Sequence, residues 1–222
     1  MIDTFNRVGY YCGRFGDGLA GELQNTLSNG AFIVAAGFAF VVWRQSAKRD
    51  VFHLLLIVLA SLIGVGSFVF HSAPNMTTLQ IDLIPIQLFG LAAIFYLARR
   101  EFELPLWAAV LTIALFFLAR QGWVLAAPRG ALGGGITHIP TVFLLAGSGA
   151  WLSYQRRKFG HYLLMAAGFY VAALAARTAD VLLCSGFPLG FHWLWHLLTA
   201  AVVGSVLLGI IKRGHNSGGQ TH

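Results

Sequence analysis

The chain has 222 residues, 57% of them hydrophobic and only 10% charged, with a formal net charge of +7. A soluble domain carries about 25% charged residues, which excludes water as the sole solvent. The positive balance does not read as a nucleic-acid footprint, because Lys and Arg fall in short clusters between apolar runs, as in membrane-protein loops, with no basic stripe interleaved with aromatics.

A bilayer core takes about 20 apolar residues per helix, and such runs recur along almost the whole chain. Residues 1–22 are expected to form an outer N-terminal segment. Within it, residues 1–21 contain Asp3, Arg7, Arg14 and Asp17 and no apolar stretch of the kind a signal peptide needs. Helices are predicted over 23–43, 52–70, 79–98, 105–126, 137–154, 160–178 and 191–211. The result is an all-α, seven-helix integral membrane bundle, a single domain over 1–212. Residues 213–222 are polar and Gly-rich and are expected to be a flexible tail. No internal repeat is visible.

Lys and Arg set the orientation. Arg44, Lys48 and Arg49 follow the first helix, Arg99 and Arg100 the third, and Arg156, Arg157 and Lys158 the fifth. Lys212 and Arg213 end the seventh. These connections alternate and so share one face. The loop at 71–78 has no Lys or Arg, and the one after helix four has only Arg129. The positive-inside rule then puts the N-terminus outside and the C-terminus in the cytoplasm. Arg7 and Arg14 weigh mildly the other way.

An ionisable group inside a membrane is costly and marks function by default. With this topology most such groups meet at the outer end. Glu22 and Asn25 open helix one, Ser67 and His71 close helix two, and Asp82 lies in the first turns of helix three. Arg177 and Asp180 close helix six, and His192 and His196 open helix seven. His192 and His196 are four residues apart, so both rings lie on one helical face. That pair fits either two ligands of one metal or an interfacial packing site beside Trp193 and Trp195, which suit an aromatic belt. His71 at matching depth supplies a third nitrogen, and three His with an open position describe catalytic zinc.

Bland readings stand beside these. Asp82 fits an ion pair with Arg177 or Arg120, and Asp180 a structural pair with Arg177. Glu22 suits the dipole at a helix start. Ser28 and Asn29 read as interhelical hydrogen-bond glue. His53 and His161 read as interfacial, and His138 as lining an entrance. Cys12 and Cys184 fall on the outer side, where either a disulfide or two free thiols is compatible with the sequence.

Three ordered blocks carry a family resemblance. The first is Tyr11-Cys12, then Glu22-x-x-Asn25-x-x-Ser28-Asn29. The second is Gly64-x-Gly66-Ser67-x-x-x-His71, then Gln80-x-Asp82-x-x-Pro85. The third is Arg177-x-x-Asp180-x-x-x-Cys184, then His192-x-x-x-His196. Together they resemble the alkaline ceramidases and their bacterial relatives, in a wider group that includes the adiponectin receptors. The resemblance implies an intramembrane zinc hydrolase of ceramide or a related N-acyl lipid. It implies His71, His192 and His196 as zinc ligands, Ser67 and Asp82 as the catalytic polar pair, and a Cys12–Cys184 disulfide. Glu22, Asn25, Arg177 and Asp180 fall around that set as candidate supporting residues. The bacterial branch, with the charge pattern, implies an inner membrane with the site toward the periplasm.

One stretch departs from the pattern. Relatives of this kind bind calcium through an N-terminal Asp-Trp-Cys-Glu-x-Asn stretch plus the helix-one Glu. Here it reads Tyr10-Tyr11-Cys12-Gly13-Arg14-Phe15. Calcium takes about six to eight oxygen ligands, and Arg14 adds positive charge, so no strong calcium site is expected.

The alternative from another class is a receptor-like or lipid-binding protein that keeps zinc for structure, with Asp82 as a fourth ligand. A b-type haem between His71 and His192 or His196 is a further alternative. A retinal protein is disfavoured because helix seven has Lys212 at its end and no Lys at its middle. No paired inverted halves point to a transporter, and nothing in the sequence sets an oligomeric state.

Overall fold

The computed structural model describes residues 12–15, 19–128 and 130–216, the last three without side chains. Asp3, Arg7, Tyr10, Tyr11, Asp17, Arg129 and the tail beyond 216 lie outside the described residues. Seven helices are long and apolar enough to cross a membrane. They are α1 (Leu19–Gln45), α2 (Val51–Ser72), α3 (Met76–Glu101), α4 (Leu106–Ala126), α5 (Ala131–Tyr154) and α6 (Phe159–Leu183). The seventh, α7, runs over His192–Asn216. The described residues contain no strand, and the protein is an all-α integral membrane bundle.

Local chemistry sets the helix ends. Asp50 caps α2 by accepting from Phe52 N at 2.8 Å. Asn75 caps α3, accepting from Thr77 N and Thr78 N, while Thr78 Oγ1 accepts in return from Asn75 N, a reciprocal capping box. The α5 span starts later as a regular helix than its length implies. Leu132, Gly133 and Gly134 are left-handed and form a tight lead-in. Pro140 then sits in the first turn of Ile139–Tyr154, where its missing N–H costs nothing.

Consecutive helices are neighbours, and α7 closes the ring against α1 and α2. Helical backbone bonds stay within each helix, as lipid demands, except where Pro85 inside α3 leaves the Ile81 carbonyl without its usual N–H donor. The apolar core fills one half of the bundle, from Phe32, Ala36 and Ala39 of α1 to Leu207, Ile210 and Ile211 of α7. Val34, Phe38, Trp107, Leu118, Leu125 and Phe143 are exposed around the outside. Such a belt would be an aggregation hazard in water and is solvated in a bilayer. The outermost helix is α4, where Ala109 alone is buried.

At the basic end, Glu101 of α3 is buried and bonds Arg213 of α7 at 2.7 Å. Arg157, between α5 and α6, donates to the Glu101 carbonyl at 2.6 Å. Nothing in the sequence pattern announces this lock. His53, in the first turn of α2, is buried and edge-on to Tyr96. His161 is exposed at its helix end.

One close approach positions the other end. A Cβ on Gly66 would strike the Ile81 carbonyl and stand 3.2 Å from the Asp82 Cα. With no Cβ there, α2 and α3 touch backbone to backbone, and Ser67 comes beside Asp82. Gly66→Ala is expected to cost roughly 1–3 kcal/mol by overpacking, read as a lower unfolding midpoint in detergent. An unchanged midpoint would show that the helices slide apart freely.

Candidate metal centre

The end of the bundle opposite the Glu101 lock holds a second and larger set of buried polar groups, among them Glu22, Asn25, Ser67, Asp82 and Asp180. His71 at the end of α2 and His192 and His196 in the first turns of α7 are each at most 4% exposed. One ligand atom from each lies within 4.8 Å of the others, close enough to hold a metal ion. Ring centroids are 5.4 Å apart for His71–His192, 4.7 Å for His71–His196 and 4.6 Å for His192–His196. The α7 pair is the i,i+4 face predicted by spacing.

The hydrogen bonds behind two of the rings fix their tautomers. His71 Nδ1 donates to Glu22 Oε2 at 2.7 Å. His196 Nδ1 lies 2.8 Å from Ser28 Oγ, and that hydroxyl gives its own proton to the Asn25 carbonyl at 2.9 Å. The Ser28 oxygen is therefore the acceptor, and both rings carry hydrogen on Nδ1. Their Nε2 lone pairs remain for a metal, the arrangement that orients histidine ligands in metalloproteins. The donor set thus fits a borderline-soft divalent ion such as zinc.

Asp82 stands outside the three-histidine set. Its carboxylate lies beside the Ser67 side chain and close to His71. Its Oδ1 is buried with no hydrogen-bond partner among the described residues. A buried carboxylate oxygen without a partner is costly, so this one is poised for a ligand or a proton. Ser67 and Asp82 therefore lie near each other, on the side of the centre that holds His71.

The supporting residues divide. Glu22 lies directly behind His71, and its other oxygen, Oε1, pairs with Arg14. Asn25 donates from Nδ2 to the Cys12 carbonyl at 3.3 Å. Asp180 gives both oxygens to backbone N–H groups: Oδ2 to Cys12 at 2.9 Å, Oδ1 to Phe191 at 2.7 Å and His192 at 3.1 Å. It caps the helix that carries two of the histidines. Gly190, at φ +65°, makes room for it, since a Cβ there would meet Asp180 Oδ1 and Cys12. Arg177 donates to the Gly133 carbonyl at 3.0 Å and lies over the Trp195 ring. Cys12 and Cys184 form a disulfide, with Cα atoms 5.6 Å apart. His138 bonds Tyr170 at 2.8 Å and stacks on Trp195.

Ser28 and Arg14 join the site only in the structure. Ser28 reads as glue in the sequence, although its offset from Asn25 places both near one face of the helix that starts at Glu22. Ser28→Ala is expected to weaken metal binding about tenfold, by freeing the His196 ring; competition with a chelator reads it directly. Wild-type affinity would show that Ser28 only packs.

The sequence model of the ceramidase family matches residues 18–220, from just before Glu22 to beyond α7. No curated protein and no solved structure matches the chain.

Proposed function

From the premise that the chain belongs to the ceramidase family, we propose that it is a zinc-dependent intramembrane hydrolase of ceramide or a related N-acyl lipid, yielding fatty acid and amine. The observation that carries this is the buried His71–His192–His196 set with the Ser67–Asp82 pair beside it.

His71, His192 and His196 would hold the zinc. The ion supplies a Lewis acid that polarises a carbonyl and brings the pKa of water to about 7. Asp82, with Oδ1 open, takes the proton of the attacking water and returns it to the leaving nitrogen as the amide C–N bond breaks. Ser67, beside Asp82, turns its hydroxyl to the carbonyl oxygen as negative charge develops there. Burial excludes bulk water and strengthens each of these interactions.

The exposed apolar belt around the bundle lets a lipid substrate approach from within the bilayer. The basic residues Arg44, Lys48, Arg99, Arg100 and Lys158 lie at the end away from the histidines. That supports a site toward the periplasmic side of a bacterial inner membrane. Residues 1–212 then act as one membrane domain.

Purified protein is expected to release fatty acid from a fluorescent ceramide, to stop on zinc chelation and to recover on zinc addition. Zinc-loaded protein that releases nothing would favour the non-catalytic alternative, in which the metal only braces α2 against α7.

A further inference from the structure

We infer that Arg14 is a positioning residue of the metal centre, acting through Glu22 on His71; the inference rests on the metal reading proposed above. Glu22 is 2% exposed, and a carboxylate so buried needs compensation. Its two oxygens have separate tasks. Oε2 accepts from His71 Nδ1 at 2.7 Å, and Oε1 is held by the Arg14 guanidinium. With Oε1 held, the carboxyl plane cannot turn, and Oε2 stays aimed at the His71 ring. A guanidinium suits this task because it is permanently charged and presents its donors in a fixed fork.

Arg14 reaches Glu22 from outside the seven helices, on a short strap that is tied on both sides of it. Cys12 is bonded to Cys184 at the end of α6, and its backbone N donates to Asp180 Oδ2 at 2.9 Å. Asn25 Nδ2 donates to the Cys12 carbonyl at 3.3 Å. Gly13, at φ +90°, turns the chain beneath Leu189, and Phe15 N donates to the Gly21 carbonyl at 2.8 Å. The disulfide thus fixes where a charge sits, in addition to linking two segments. The same strap touches both histidine-bearing helices: α2 through Arg14 and Glu22, and α7 through Cys12 and Asp180.

The test measures zinc affinity of the detergent-purified full chain by chelator competition in wild type, Arg14→Gln, Arg14→Lys, Glu22→Gln and the Arg14→Gln/Glu22→Gln double variant. Arg14→Gln is expected to lose about tenfold or more, the usual scale for a group behind a metal-bound histidine. Arg14→Lys, with charge but no fork, is expected to lose less. The double variant is expected to bind no more weakly than Glu22→Gln, because Arg14 acts through that carboxylate. The visible spectrum of the cobalt-substituted protein should shift in Arg14→Gln, a change that loss of global stability alone does not produce. Wild-type affinity in Arg14→Gln, or fully additive losses in the double variant, would overturn the relay. If Arg14→Gln does not fold, Arg14→Lys becomes the deciding variant, and unchanged affinity in it overturns the relay. A wild type that binds no zinc overturns the metal reading and the relay together; a zinc-loaded wild type with an unaffected Arg14→Gln overturns the relay alone.

Discussion

Asp82→Asn is expected to lose about 10²–10⁴-fold in kcat, the usual contribution of a positioned general base, while keeping its zinc. The two halves of that expectation come from different observations. Retention of the metal follows from Asp82 standing outside the histidine set. Loss of turnover follows from the carboxylate that lies beside Ser67 with Oδ1 open, a position an amide fills without being able to accept a proton. Asn is close to Asp in size, and α3 is registered on α2 by the backbone contact at Gly66, so the helices stay in place. Fatty-acid release at saturating fluorescent ceramide, beside elemental zinc analysis of the same preparation, measures both. Equal turnover removes the base role. Zinc lost along with activity makes Asp82 a fourth ligand and favours a structural ion.

Much of this centre is legible in the sequence because the membrane makes polar residues conspicuous. In a chain with 10% charge, a histidine or carboxylate in an apolar run stands out. Helical spacing then pairs His192 with His196, and matched depth adds His71, Ser67 and Asp82. The seven spans are legible for the same reason, from run length against bilayer thickness. What stays hidden depends on partners that no spacing rule connects. Ser28 and His196 are 168 positions apart, and their contact exists only because α7 closes the ring against α1. The sequence sets Asp180 against the nearest cation, Arg177, whereas its oxygens go to backbone N–H groups, which every residue but proline carries and which sequence therefore does not mark. Glu101 escapes notice because it borders the basic cluster Arg99-Arg100, where an exposed charge is the ordinary expectation; a turn of π-helix over Leu97–Glu101 carries it inward instead.

His192→Ala combined with His196→Ala is expected to take zinc from about one per chain to none and activity below detection. One nitrogen ligand is far too few for a zinc site, which takes about four ligands. Both rings sit in the first turns of α7, whose N-terminal N–H groups are held by Asp180 through backbone atoms that the substitutions leave in place. The apolar half of α7, from Ala200 to Ile211, packs away from the centre. The variant should therefore insert and remain helical, and circular dichroism beside elemental analysis separates lost metal from lost fold. Its unfolding midpoint should equal that of metal-stripped wild type more nearly than that of the loaded protein, since ligand binding to the folded state alone raises apparent stability by mass action. Zinc retained at one per chain in this variant would mean that the ion sits elsewhere. Asp82 would then lose its place beside the reacting carbonyl, and the hydrolase reading would fall with it.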